Sequence, residues 1–377
     1  MEELNGRTKY FSQLDGLRFI AILAVMQCHW IRTPLPATGF SGVNLFYVIS
    51  GFLITRILLM SKEDNKGLGI SLKRFYIRRT LRIFPIYYLS ILVLFILNIP
   101  GARQDIYWLI TYTFNIKLVL LNAYVHGENY GFYAHFWSLC VEEQFYFLFP
   151  ILILLIPKAY MKRFLIGVIC IGFFTRFFLM FQSNRSFETG LLPDCLDSFG
   201  LGALLAFYIL NEPEALKKIM MNNLIFIISM ISYIALVVID YECFSIFNPV
   251  YCLLDRFLFS LCCFWIVGKA SLGMHKGLMK GFLENKAVVY LGKISYGIYV
   301  YHVFVEEFLN HALYPIYRKC PVFLQYYWRV LIKYGPDNNS NWVYRFLGYS
   351  IVTVIVASIS WYVIEKPIIK LKDKYAK

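Results

Sequence analysis

The sequence predicts an all-α integral membrane protein of about ten transmembrane helices, and three observations carry that prediction. The 377 residues are 59% hydrophobic and 19% aromatic with only 16% charged, more apolar surface than an ordinary soluble core can hide. Mean hydropathy is +0.58. Apolar runs long enough to cross a hydrocarbon core of about 30 Å recur along the chain, with no fixed-period repeat, low-complexity tract or long linker between them. The chain therefore reads as one membrane domain over 10–370 with short cytoplasmic tails at 1–9 and 371–377, and no appended soluble domain is expected.

The expected spans are 14–31, 40–60, 83–99, 136–156, 163–181, 194–210, 222–240, 250–268, 287–310 and 343–364. The stretch 106–126 is also apolar but carries Thr111, Thr113, Asn115, Lys117 and Asn122. Basic residues decide its fate. If it does not cross, the segments from Arg56 to Arg82, Lys158 to Arg163, Lys217 to Lys218, Lys269 to Lys286 and Lys366 to Lys377 share one side with the N-terminus. Most of the 37 Lys and Arg residues then lie on that side. The positive-inside rule makes it the cytoplasmic one. The stretch 106–126 is accordingly expected to be re-entrant or surface-lying, with both termini cytoplasmic. The net charge of +14 has the same cause, so nucleic acid is not an expected partner.

The first span lacks an A-x-A-like cleavage site and opens with Asp15 and Arg18, so it is read as a retained helix rather than a signal peptide. Nine cysteines without C-x-x-C spacing argue against zinc, and no metal is expected. Cys195, Cys243 and Cys320 fall on the expected outer side, which leaves a disulfide open.

Polar residues inside apolar spans mark where chemistry belongs. In LDGLRFIAILAVMQCHW, Arg18, Ile22, Val25 and His29 share one helical face. The arginine and the histidine are about 16 Å apart along the axis at 1.5 Å per residue. Arg18 can equally snorkel or pair with Asp15, and His29 can equally be interfacial. In GFSGVNLFYVISGFLITRIL, residues 39–58, the glycines favour a close helix–helix interface, while Asn44 and Ser50 offer hydrogen bonds to a cavity. In FYIRRTLRIFPIYYL, residues 75–89, Arg78, Arg79 and Arg82 follow Lys73 and Arg74. They satisfy the positive-inside rule as they stand, and their rigid forks also suit phosphate oxygens. Pro85 is expected in the first turns of the third span. In HFWSLCVEEQFYFLFP, residues 135–150, Glu142 and Glu143 lie inside a span. Adjacent residues point about 100° apart, so the two carboxylates cannot face the same neighbour.

Taken in order, these four segments resemble the acyltransferase-3 family of membrane acyltransferases. KISYGIYVYHVFV at 293–305 and SWYVIEKPI at 360–368 resemble later signatures of that family. The resemblance spans about residues 10–370. It implies ten membrane spans and transfer of an acyl group, most often acetyl, from cytoplasmic acyl-CoA to an extracytoplasmic or lipid-linked sugar. The acyl-CoA is a co-substrate, with no permanently bound cofactor implied. Carried over by position, the catalytic set is His29, Glu142, Glu143, Arg18 and Asp15, and the donor-binding arginines are Arg78, Arg79 and Arg82. Asn44, Ser50, Trp137, Ser138 and His302 are expected to line the cavity. The sequence departs from the pattern at Asn44, where aspartate is usual, at Cys140, where serine is common, and at Val303-Phe304, where a proline often follows the late histidine. Many relatives carry a C-terminal esterase-like domain, and this chain is expected to be the stand-alone form.

The reading that follows has His29 as general base, oriented or charge-stabilised by Glu142. Its setting is expected to be a bacterial inner membrane, with membrane lipid and a glycan acceptor as partners and a homo-oligomer left open. A glycan or lipid transporter is the alternative class, although paired broken helices or internal repeats are not evident in the sequence. Succinyl or longer acyl groups and non-glycan acceptors remain variants of the enzyme reading.

Overall fold

The computed structural model describes residues 10–31, 38–64, 67–120, 131–179, 190–243, 249–319, 321 and 342–375. Among the described residues there are helices and no strands. This is the arrangement that satisfies backbone N–H and C=O groups within each segment when lipid offers them no partner.

Helix α1 (Ser12–Trp30) is followed by α2 (Thr38–Glu63) and α3 (Leu68–Ile96). Two short helices, α4 (Ile106–Ile110) and α5 (Phe114–Leu120), precede α6 (Phe136–Leu155), α7 (Met161–Leu179) and α8 (Leu192–Asn211). Then come α9 (Pro213–Met221), α10 (Leu224–Cys243), α11 (Pro249–Leu272), α12 (Gly277–Leu283), α13 (Lys286–Lys293) and α14 (Ser295–Lys319). Helix α15 (Trp342–Ser360) continues through a π-helical turn, Trp361–Glu365, into α16 (Lys366–Lys370).

Among the described residues, five helical segments are long and apolar enough to cross a membrane: Phe40–Glu63, Leu68–Ile96, Phe136–Leu155, Leu192–Asn211 and Arg345–Lys370. Three further pairs pass together but bend at a short break: α9 with α10 by 55°, α11 with α12 by 83°, and α13 with α14 by 72°. The other two expected spans coincide with α1 and α7. Both are 19-residue helices, with charge from Asp15 and Arg18 in one and Lys162, Arg163 and Arg176 in the other. Large apolar side chains such as Phe147, Phe178, Ile231 and Ile355 are exposed on the outside of the bundle. In a lipid-embedded protein this is the side-chain surface that meets hydrocarbon. The protein is an all-α integral membrane protein.

Three expectations need correction. Helix α3 begins at Leu68 rather than near residue 83, so the Arg78–Arg82 cluster lies within a helix and Pro85 well inside it. The stretch 287–310 is interrupted at Ile294. Cys195 is a buried free thiol and forms no disulfide, while the side chains of Cys243 and Cys320 lie outside the described residues. The part of 106–126 that is described forms α4 and α5, separated at Thr111–Thr113, with Tyr112 at φ 54°. Neither is long enough to cross. Asn115 of α5 is tied down by donating to the Gly190 carbonyl at 2.7 Å.

Glycines bring the central helices to backbone contact. A Cβ on Gly51 of α2 would meet the Phe199 carbonyl oxygen of α8 at 2.1 Å, and one on Gly202 of α8 would meet that of Val48 at 2.0 Å. Gly42 does the same against Ala21 of α1, at 2.5 Å. Apolar side chains gain nothing by leaving lipid for one another, so close packing of this kind supplies the association.

Candidate active site

Two adjoining cavities share α1, α2 and α3 as walls; α6 and α14 close the inner one, and Lys293 with Trp361, Ile369 and Lys372 the outer. The outer one, with about 1760 Å³ of empty space, opens at the end of the bundle that carries the foot of α1. It is lined by Asp15, Arg18, Arg56, Arg74, Arg78, Arg79, Arg82, Lys293 and Lys372 among others. The inner chamber, with about 750 Å³ of empty space, is walled by apolar residues such as Val43, Phe46, Leu53, Ile83 and Leu139, and by Ser50, Ser138, Glu142, Tyr146 and Tyr299. Arg18, Ile54, Arg79 and Arg82 belong to both walls. Arginines therefore form the threshold between them.

Sequence spacing explains the threshold. Arg79 and Arg82 are three residues apart on α3 and so project from one face. Arg18 comes from α1, where its Nη1 lies 3.8 Å from Asp15 Oδ1 one turn earlier. Asp15 also accepts a hydrogen bond from Tyr10. Burial first, and then the Asp15 carboxylate, push the Tyr10 phenol up from its ordinary pKa. Arg78, on another face of α3, is exposed and lines only the outer of the two cavities.

Inside the threshold, a hydrogen-bonded network spans α2, α3 and α6. The Arg79 guanidinium stacks over the Tyr146 ring at 3.7 Å. The Tyr146 hydroxyl lies 2.7 Å from Glu142 Oε1 and 2.9 Å from Ser50 Oγ, and Ser50 donates to Glu142 Oε1 at 2.5 Å. Tyr146 follows Glu142 by one helical turn, so the pair shares the chamber face. Glu143 does not line the chamber; its Oε1 is buried without a hydrogen-bond partner, in the field of Arg79. The two carboxylates thus diverge as adjacent helical residues must.

The chamber ends at a pair of hydroxyls. Ser138 and Tyr299 hydrogen-bond each other, and the Tyr299 hydroxyl donates to the His135 carbonyl at 2.9 Å. Immediately beyond stand three imidazoles. His302 meets the His29 ring edge to face at 4.9 Å between centroids, and meets His135 in the same way at 4.9 Å. His29 itself is exposed, whereas His135 and His302 are buried.

The expected site residues are therefore distributed as follows. Arg18, Arg79 and Arg82 meet at the threshold, Glu142, Ser50 and Ser138 line the chamber, and His29 and His302 stand together beyond its end. Asn44, Trp137 and His302 lie outside the walls of these two cavities. Asn44 is buried with Oδ1 lacking a hydrogen-bond partner, and Trp137 packs on Phe40 at 5.9 Å. Glu142 bonds Ser50 and Tyr146, while the ring beside His29 is that of His302. Among the described residues no group of three or more His, Cys, Asp or Glu side chains could hold a metal ion.

Several residues escaped the sequence reading. His135, Tyr146 and Tyr299 lie within the quoted motifs without having been assigned a part. Glu365, in the π-helical turn, is buried and lies in the field of Arg82 and Arg18. Between α7, α8 and α11, Arg176 grips both carboxylate oxygens of Asp197 at 3.0 and 2.5 Å, and both Arg176 and Arg256 donate to the Asp194 carbonyl. The rule that flagged Glu142, that ionisable residues inside spans are there for a reason, would have found this network too.

An arginine-rimmed internal chamber ending near a histidine cluster, inside a helical membrane bundle, is the candidate site of this protein. The family model of the acyltransferase-3 family, described as an acyltransferase domain, matches residues 11–362. The chain belongs to that family. Among curated relatives, one named "Putative O-acetyltransferase" from Staphylococcus aureus strain COL is 30% identical over 353 residues, covering 84% of this chain and 56% of the relative. O-acetyltransferase OatA from S. aureus strain NCTC 8325 is 27% identical over 336 residues, covering 82% of this chain and 53% of that protein. The chain thus spans about half the length of the curated relatives it matches. No solved structure matches.

Proposed function

We propose that this chain transfers an acyl group, acetyl in the first instance, from cytoplasmic acyl-CoA to a hydroxyl of an extracytoplasmic or lipid-linked glycan, in a bacterial inner membrane with both termini cytoplasmic. One observation carries the reading: an arginine threshold stands between a wide basic cavity and a chamber ending at Tyr299, whose ring is 5.5 Å from that of His302, itself 4.9 Å from His29. The similarity to O-acetyltransferases supports the choice of acetyl and of a hydroxyl acceptor.

In this reading the coenzyme phosphates stay in the outer cavity against Arg79, Arg82 and Arg78, whose guanidinium forks match phosphate oxygens. The thioester arm passes the threshold into the apolar chamber. Tyr299 stands between the chamber and the histidines, so transfer requires its side chain to turn aside. His29 takes the proton of the acceptor hydroxyl as the new C–O bond forms. The C–S bond breaks, and the departing thiolate receives that proton from His29. Glu142 keeps the chamber wall ordered through Ser50 and Tyr146 and balances the charge of Arg79.

The test uses the purified chain in lipid vesicles with radiolabelled acetyl-CoA and a crude surface glycan. Label appearing on the glycan with the intact chain, and falling at least a hundredfold in His29→Ala, is the expected result, in line with the roughly 10²–10⁴-fold contribution of a general base. Glycan crossing the vesicle wall without label would identify a transporter instead, and unchanged labelling in His29→Ala would remove the assigned base.

A further inference from the structure

We infer that Glu365 is a positioning residue of the donor site, a buried counter-charge to Arg82 and Arg18 that limits how tightly the threshold holds coenzyme phosphates and so lets the spent coenzyme leave. The inference rests on the proposed acyl-CoA donor and deepens that reading.

The π-helical turn puts the carboxylate there. The Lys366 N–H bonds the Trp361 carbonyl, five residues back instead of four, and turns of this kind are frequent at functional sites. Trp361 and Ile369 line the outer cavity, and Glu365 lies about one turn from each. The turn packs against α3, the helix that carries Arg82. Glu365 is nevertheless only 2% exposed and lines neither cavity. Its Oε1 is tucked against α14, where a Cβ on Gly297 would stand 3.3 Å away, and it has no hydrogen-bond partner. The nearby hydroxyls of Tyr296 and Tyr301 bond elsewhere, to the Ile83 carbonyl and to Ser360. The charges that face Glu365 are those of Arg82 first and Arg18 second.

A carboxylate placed in this way acts through its field rather than by gripping a guanidinium. The outer cavity sets eight cationic side chains against two carboxylates, Asp15 and Asp64. Charges beside a low-dielectric wall are felt more strongly than in water. So cationic a site holds the product coenzyme as firmly as the donor, because acyl transfer leaves the phosphates unchanged, and binding shared by both adds nothing to turnover. Glu365 offsets Arg82 from behind. Glu143, whose Oε1 is also buried without a partner, stands in the same relation to Arg79.

Calorimetric titration of the purified chain with coenzyme A tests the inference. Glu365→Gln keeps the shape and removes the charge, and it is expected to tighten coenzyme A binding by about threefold to tenfold. Glu365→Asp keeps the charge and should stay within about twofold of the wild type. Pantetheine, which carries no phosphate, should compete with radiolabelled coenzyme A no better against Glu365→Gln than its lack of charge allows, its own affinity being the same for variant and wild type. Size-exclusion chromatography checks that each variant is folded, and Glu365→Met takes the place of Glu365→Gln if the latter is not. Unchanged or weaker coenzyme A binding in the folded neutral variant, or pantetheine tightened as much as coenzyme A, overturns the inference. Coenzyme A binding and acetyl transfer by the wild type, together with unchanged affinity in Glu365→Gln, would keep the acyltransferase reading and reject only the role of Glu365. A wild type that binds no coenzyme A would remove both.

Discussion

Ser138 on α6 and Tyr299 on α14 join hydroxyl to hydroxyl where the inner chamber ends, and the Tyr299 hydroxyl donates a hydrogen bond to the carbonyl of His135. The bond closes the chamber against the histidines. In Tyr299→Phe the ring remains but the bond to Ser138 and the donation to His135 are both lost, at about 1 kcal/mol net per buried bond. A lower melting temperature in detergent is expected, with coenzyme binding unchanged because the arginine threshold is untouched. Equal melting of variant and wild type would show that the hydroxyl pair contributes no stability.

The arginines should separate into two grades. Arg79 and Arg82 line both cavities and Arg78 only the outer one. A charge-assisted hydrogen bond is worth about 1.5–3 kcal/mol, so Arg79→Ala and Arg82→Ala should each weaken coenzyme A binding by at least tenfold in calorimetric titration. Arg78→Ala should cost less, because an exposed side chain shares its phosphate with water. Wild-type affinity in both threshold variants would take the donor out of this cavity.

Helix α2 should tolerate no added carbon at Gly51. The obstruction is the Phe199 backbone oxygen at 2.1 Å, which cannot rotate away as a side chain would. Overpacking of a tight core costs about 1–3 kcal/mol, and Gly51→Ala and Gly202→Ala are expected at the upper end. Gly167, with open space around it, provides the control. Thermal unfolding of the three alanine variants in one detergent decides the point, and equal melting temperatures would mean the helices can part without penalty.

Arg176 and Asp197 form a buried bidentate pair. Removing one partner strands the other's charge, at about 3–5 kcal/mol, whereas replacing both by apolar residues of similar volume is often neutral. Arg176→Met should therefore lower the yield of folded protein sharply, and the double variant Arg176→Met, Asp197→Leu should recover much of it. A double variant no better than the single one would mean that the bond from Arg176 to the Asp194 carbonyl dominates.

The helices were legible because lipid leaves the chain few options: a run such as Leu192–Asn211 must satisfy its own backbone. The start of α3 was not, because Lys73, Arg74, Arg78, Arg79 and Arg82 read as a basic loop, while the helix brings Arg74, Arg78, Arg79 and Arg82 to the wall of the basic cavity. The bend at Ile294 is marked only by Gly292, Lys293 and Ser295 within an otherwise apolar run, too little to separate two helices by hydropathy. Within the site, Glu142 and Arg79 could be found one at a time as charges in an apolar run. The ring contact of His29 with His302 could not, because it joins residues far apart in the chain and depends on a helix packing that local spacing does not encode. Glu142 was for that reason given to His29, although it belongs to Ser50 and Tyr146.

Contact between the backbones of α2 and α8 at Gly51 and Gly202 fixes more than stability. Two helices in that contact cannot slide or roll without collision, so the wall bearing Tyr47 and Ser50 is a stator. The opposite wall is hung differently: α14 starts at a 72° bend beside Ile294 and carries both Tyr299 and His302. A movement of Tyr299 is therefore expected to come from that side, and a tether between α2 and α14 should stall acyl transfer with the chamber intact.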